Sequence, residues 1–367
     1  MEKIVVREVN MVCIPYEQVL KNLANDRILL IGGCGFIGHN FAIALRRAGI
    51  SVMVLDNLMV NSLIDNTFHD QGDVVKRKLN LHFLMSRFEM MREYGVDFRN
   101  CDARNFSDMA NVFNEYQPTR VVHLAAIASA VEARKNPGKC FDLQLTTLRN
   151  VLELCRLDHR EMKTLMFLSS STIYGDFKDT WVDETTRPRP RGIYANTKYM
   201  GERLVRTYCH TDGLGVCIIR PSALYGERCV SRRVSQVFIE NALAGRPLLL
   251  EGGGAGLLDF TYIEDLVDGM TRALGLHGGN GTSDTFNLTF GDARSIADLA
   301  NIVKEVVPGA ILKDRPQAVD KPVRGTLRMD KAKKRLGFSP KWSLDDGYRK
   351  YCEWYVGEWE KVVRSNL

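Results

Sequence analysis

The chain has 367 residues, 45% of them hydrophobic and 26% charged, enough for a large core in an α/β body with a smaller second lobe. Its formal net charge of +6 comes from basic residues that alternate with acidic ones, so no nucleic-acid partner is expected and an anionic small substrate fits. No apolar stretch can span a bilayer, Met1 to Arg27 builds no signal core, and nine cysteines without a Cys-x-x-Cys pair suggest neither zinc nor disulfides. The expectation is a cytoplasmic protein with no metal and no membrane attachment.

Residues 1–26 read as an extension, with Ile4–Val9 as a short strand and helical spacing of Val19, Leu20 and Leu23 between Tyr16 and Asn25. A packing or oligomer role is expected there. Arg27–Ile31 reads as a buried strand, followed by the turn Gly32-Gly33-Cys34-Gly35-Phe36-Ile37-Gly38, a helix from Phe36 to Ala48, and a second strand Ser51–Asp56. This β-α-β unit, with an acid about 20 residues past the turn, is a dinucleotide-binding pattern. Gly32, Gly35 and Gly38 let the backbone approach a pyrophosphate, whose charge is favoured at the helix N-terminus beside Phe36 and Ile37. Asp56 suits ribose hydroxyls and repels a 2'-phosphate, which favours NAD over NADP.

The connection from Asp56 to Cys101-Asp102 is long, and 65–94 carries Leu79, Leu81, Phe83, Leu84, Phe88, Met90 and Met91, predicting an extra helix or flap whose apolar residues suit the core, although loops at this edge of such sheets also border ligands, so its role stays open. Arg120–Ala126 reads as a buried strand running into small residues, with His123 as a core histidine. Thr164–Leu168 leads into Ser169-Ser170-Ser171-Thr172-Ile173-Tyr174-Gly175, and Val216–Arg220 leads into Pro221-Ser222. Alternating strands and helices predict a Rossmann-type, doubly wound parallel sheet with a nucleotide at its carboxyl edge.

Within this frame, Tyr194-Ala195-Asn196-Thr197-Lys198 places a tyrosine and a lysine on one helix face, where the ammonium can stabilise a phenolate. Ser170, at the end of a preceding strand, can hydrogen-bond a hydroxyl being deprotonated, and a dinucleotide can take the hydride left behind. The trio reads as alcohol oxidation.

Over roughly Arg27 to Tyr355 the residues resemble the extended short-chain dehydrogenase/reductase family, and within it the nucleotide-sugar epimerases. The resemblance rests on the glycine turn, Asp56-Asn57-Leu58, Asp102, His123-Leu124-Ala125-Ala126, the Ser170, Tyr194, Lys198 trio, Asp259–Val267, and Lys331-Ala332 with Leu336–Pro340. It implies an NAD-binding domain over 27–220 that also receives part of 245–290, and a smaller C-terminal α/β substrate lobe over 221–367. In the NAD site it places Asn57, Asp102, Ala103, Leu124, Ala125, Ala126 and Pro221 beside the glycine turn, Asp56, Tyr194 and Lys198. It places Ser129, Ser171, Thr172 and Ser222 beside the substrate, and it implies a homodimer through the Leu148–Leu154 and Tyr194–Tyr208 helices.

The implied reaction is epimerisation of a nucleotide sugar through a transient ketone, at C4 of a UDP-hexose or UDP-hexuronic acid. Ser171 and Thr172 stand where sister dehydratases and decarboxylases would carry acids. Those reactions, or a net oxidoreductase, remain the alternatives, with an NAD-sensing scaffold as a third reading. Gln144, Ala223 and Leu258 depart from the family pattern of asparagine, asparagine and arginine, so the phosphate clamp is altered. Arg232, Arg233 and Arg324 are the candidates to meet the phosphates.

Overall fold

The computed structural model describes residues 14–60, 62–63, 67, 74–127, 129–157, 161–276, 281–317 and 322–364. The strand expected over Ile4–Val9 lies outside them. Seven strands form one parallel sheet: β1 (Arg27–Ile31), β2 (Ser51–Asp56), β3 (Asp97–Asn100), β4 (Arg120–His123), β5 (Thr164–Leu168), β6 (Val216–Pro221) and β7 (Ser283–Leu288). The order β3-β2-β1-β4-β5-β6-β7 reverses direction between β1 and β4, which opens a crevice at the carboxyl edge where ligands of doubly wound sheets bind. Ile31 pairs with both Leu55 and His123, and His123 with Phe167. The four central strands therefore end together, presenting Gly32, Asp56, Leu124 and Ser169 along one rim.

Side-chain alternation sorts the sheet into two faces. Ile28, Leu30, Val52, Val54, Val122, Met166 and Ile219 pack under α2 (Phe36–Arg47) and the later helix Ile263–Leu276, while Leu29, Ile31, Leu55, Val121, Leu165 and Ile218 pack on the opposite side. The extension docks on the first face through α1 (Tyr16–Leu23), which buries Val19 and Leu23; a Cβ at Gly275 would lie 2.6 Å from Val19. The methionine- and phenylalanine-rich insertion is one long helix, α3 (Val74–Glu93). The opposite face is covered by α4 (Phe106–Tyr116), α5 (Thr147–Leu157) and α6 (Gly192–Asp212). The second lobe gathers α7 (Val234–Leu243), α9 (Ile296–Val306) and α10 (Arg349–Arg364) around an aromatic core of Tyr225, Tyr262, Tyr348, Tyr351 and Tyr355. The helix Ile263–Leu276, α8, carries the chain back to the sheet before β7.

Candidate active site

The turn between β1 and α2 is shaped by contacts that tolerate no side chain. A Cβ on Gly32, whose φ is +78°, would meet the Cα of Ala125 at 2.7 Å, and one on Gly38 would meet the Gly33 carbonyl oxygen at 2.4 Å. Gly35 caps α2 with no side-chain hydrogen bond, leaving the first-turn N–H groups of Phe36 and Ile37 facing outward for an anion. Asp56, at the end of β2, accepts from the Cys34 N–H at 2.9 Å and the Leu58 N–H at 2.8 Å. It thus braces the turn as well as offering its remaining lone pairs to a ribose, and its burial raises its pKa. Asn57 accepts from the Met59 N–H and lies beside Asp102, whose carboxylate forks onto Arg104 and is held at a pKa of about 2 chiefly by that hydrogen bonding. Ala103 is buried, Leu124, Ala125 and Ala126 are half-buried past β4, and Pro221 closes β6. This cradle of outward N–H groups and small residues fits a dinucleotide.

Helix α6 brings the proposed base to the same rim. Gly201 permits this packing, since a Cβ there would lie 2.4 Å from the Phe167 ring of β5. The Tyr194 hydroxyl faces Ser170; burial raises its pKa, while the Arg233 charge and the neighbouring Ser170 hydroxyl lower it. Ser170 is itself fixed: its oxygen accepts from the Thr172 hydroxyl at 3.0 Å and the Thr172 N–H at 3.2 Å. Lys198 differs from the simple expectation. Its ammonium donates to the Leu168 carbonyl at 2.7 Å and lies 5.3 Å from the centre of the Phe167 ring, so it is anchored to β5 instead of bonded to the phenol. Burial lowers its pKa to about 8, against the opposing charges of Cys140 and Glu202.

His123 is fully buried, stacks on Phe167 and shares a 2.9 Å hydrogen bond with the Thr147 hydroxyl. Burial and the Lys198 charge lower its pKa to about 3, so it is a neutral core residue.

On the substrate side the candidates separate. Arg324 is half-buried, donates to the Ser171 carbonyl at 3.1 Å and sits against the Phe177 ring, with its pKa lowered to about 10 by burial. Among the described residues no carboxylate forms an ion pair with it, so it faces the serine segment as an available cation. The charge of half-buried Arg233 lowers the Tyr194 pKa, whereas exposed Arg232 is near enough to Lys76 of α3 for its like charge to lower that pKa. Ser222 is buried beyond β6, and Ser129 caps the short helix Ala130–Lys135 by accepting from the Glu132 N–H at 3.3 Å. Ser171 is buried, and the Thr172 hydroxyl is committed to Ser170.

Comparison with known proteins decides the family. The profile of the NAD dependent epimerase/dehydratase family matches residues 28–289. The chain belongs to this family. Among relatives of this epimerase/dehydratase is UDP-glucuronate 4-epimerase 2 of Arabidopsis thaliana, 27% identical over 91% of this chain and 76% of the relative. The UDP-glucose 4-epimerase of Thermotoga maritima, solved with UDP-glucose, superposes with a TM-score of 0.75 at 25% identity, covering 90% of this chain and 99% of the other. The UDP-glucose 4-epimerase of Thermus thermophilus, solved with NAD, gives 0.73 at 26% identity, covering 90% and 99%. NAD is thus the cofactor for which the glycine cradle is built.

The epimerase/dehydratase chain also holds residues that motif reading passed over. Glu202, one helical turn past Lys198, is fully buried and forks onto Arg220 of β6 at 2.9 and 2.7 Å; Arg220 then donates to the Tyr174 hydroxyl, which donates to Asn287 of β7. This network fixes the serine turn relative to α6, and its signal was the spacing of Lys198 and Glu202. Gln144 lies in a π-turn over Asp142–Thr146, and its amide donates to the Cys140 sulfur at 3.0 Å. Such one-turn bulges recur at functional sites. Ala223, at the position of a family asparagine, has a φ of +33°, a conformation that asparagine tolerates better than alanine.

Proposed function

We propose that this chain is an NAD-dependent nucleotide-sugar 4-epimerase acting on a UDP-hexose or UDP-hexuronic acid. The observation that carries the reading is the convergence of Ser170, Tyr194 and Lys198 at the rim where the glycine cradle opens, with no acid beside them in the serine segment. NAD, held at the Gly32, Gly35 and Gly38 turn, would supply the acceptor and donor of the C4 hydride. Tyr194 removes the proton of the C4 hydroxyl, Ser170 orients that hydroxyl, and Thr172 keeps Ser170 in place. Arg233 favours the phenolate by charge. Tyr194 then returns the proton to the oxygen on the inverted centre, which leaves no net redox change.

The relatives named for UDP-glucuronate and UDP-glucose support the uridine nucleotide and the choice of C4. Arg324 meets the substrate's negative charge, since a half-buried guanidinium with one neutral acceptor has N–H groups to spare. Ser129, Ser171, Thr172, Ser222, Arg232 and Arg233 complete the substrate side. The free, buried cysteines among the described residues fit a reducing cytoplasm, and exposed Met200 and Leu204 on α6 with Leu157 on α5 fit a homodimer face.

The test is product analysis by mass spectrometry and NMR after incubation with UDP-sugars, with absorbance recorded for the bound cofactor. An isomer of unchanged mass, inverted at C4, without free NADH, is expected. A product lighter by water or carbon dioxide, or stoichiometric NADH, would replace epimerisation by a sister reaction.

A further inference from the structure

Helix α3 belongs to two cores at once. Its first half places Leu79 and Phe83 in the aromatic core of the second lobe, with the Phe83 ring 5.0 Å from Trp354 and 5.3 Å from Tyr355 of α10. Its last turns place Met91, with Phe88 and Met90, in the core under α2 and the sheet. Between these halves, at 1% exposure, sits Arg87. Its guanidinium donates from Nη1 to the Cys34 carbonyl of the glycine turn at 3.3 Å, and from Nε at 3.1 Å and Nη2 to the Arg228 carbonyl.

Each end of this link is a place where the backbone needs help. Cys34 lies inside the cofactor turn, pinned on its N–H side by Asp56, and Arg87 holds its carbonyl side. Arg228 has a φ of +61°, a left-handed conformation that is strained for a non-glycine residue and needs outside support. Two charge-assisted bonds from Arg87 supply that support, and the Arg228 side chain returns a third tie to the same helix by donating to Ser86 at 3.0 Å. Arg228 is part of the segment between β6 and α7 that also carries Ala223, Arg232 and Arg233. Among the described residues no carboxylate is hydrogen-bonded to Arg87, and Asp56 acts on it only through its charge. Its hydrogen-bonded anchor on the sheet side is the turn that faces the pyrophosphate.

We propose that Arg87 is a positioning residue that couples the cofactor turn to the substrate segment, so that occupation of the sugar-nucleotide site slows the loss of NAD. A nucleotide that orders the 223–233 segment strengthens the Arg228 end of the link, and the rigid guanidinium transmits this order to Cys34 and the turn. The chemistry makes such coupling useful, because an epimerase that released its reduced cofactor while holding a keto-sugar would abort the reaction. The inference rests on the reading that NAD and a uridine diphosphate sugar occupy these sites.

The test measures release of NAD from the purified holoenzyme, by chromatography of the freed nucleotide, with and without UDP as the probe, in wild type, Arg87→Met and Arg87→Lys. Wild type is expected to release NAD more slowly with UDP present. Arg87→Met, which removes all three guanidinium bonds, is expected to release it about tenfold faster without UDP, the effect of losing the single charged donor to the Cys34 carbonyl, and to show no slowing by UDP. Arg87→Lys keeps the charge but cannot span both carbonyls, so it is expected to lose the UDP effect while releasing NAD nearly as slowly as wild type; it also serves if the methionine variant fails to fold. A general loss of packing would change thermal stability without abolishing the UDP effect. Wild-type behaviour of both variants, in release and in the response to UDP, would overturn the inference. If UDP leaves wild-type release unchanged, the coupling is overturned together with the choice of UDP, whereas product analysis still decides epimerisation by itself.

Discussion

The sheet rim and the segment between β6 and α7 are held in shape by opposite means. At the rim, regular strands end in register, and Asp56, Thr172 and the glycine contacts fix each group through short local bonds. Between β6 and α7, Ala223, Arg228 and Arg232 all have positive φ, and long-range partners such as Arg87 support the backbone. The first arrangement needs only neighbouring residues; the second depends on partners far away in the chain, and strained backbone of that kind persists only where its surroundings hold it.

Four substitutions probe this contrast. Tyr194→Phe removes the base at the rim and is expected to lower kcat by about 10²–10⁴-fold while NAD remains bound, measured by turnover and by cofactor content; retained turnover would move the base elsewhere. Gly201→Ala drives a methyl group into the Phe167 ring under Lys198, and thermal or urea unfolding should show a loss of about 1–3 kcal/mol. On the substrate segment, Arg233→Met removes a cation that lowers the Tyr194 pKa. The phenol then ionises at higher pH, so the acidic limb of the kcat profile should move upward; an unmoved limb would show that Arg233 serves binding alone. The smallest effect belongs to Ala223→Gly, which relieves a φ of +33° and should raise stability by at most about 1 kcal/mol, because the added freedom of the unfolded chain offsets part of the gain.

The sequence made the rim legible because its signals are local. Glycine spacing, the strand run Arg27–Ile31, the acid at Asp56 and the one-turn separation of Tyr194 and Lys198 each need only a few neighbouring residues. His123 was equally readable, since an apolar run surrounds it. The Lys198 anchor on Leu168 was not, because it depends on how closely α6 approaches β5. Nor was the division between Arg232 and Arg233, adjacent in the chain yet one exposed and the other half-buried with its charge felt by Tyr194. The insertion could be assigned to the core from its methionines and phenylalanines, but a repeating face could not reveal that α3 serves two cores in succession. Arg87 was visible only as a charge within an apolar run.

The second lobe is not hung on a single connection. The chain enters it at Pro221, returns through α8 to lay β7 beside β6, and enters it again beyond Leu288, while α3 crosses from the β2 side. A lobe attached in this way cannot swing open about one flexible joint, because every crossing would have to bend together. Its motion is expected to be a small, stiff rocking about the β6–β7 border, with sugar nucleotides entering through local yielding of the 223–233 segment.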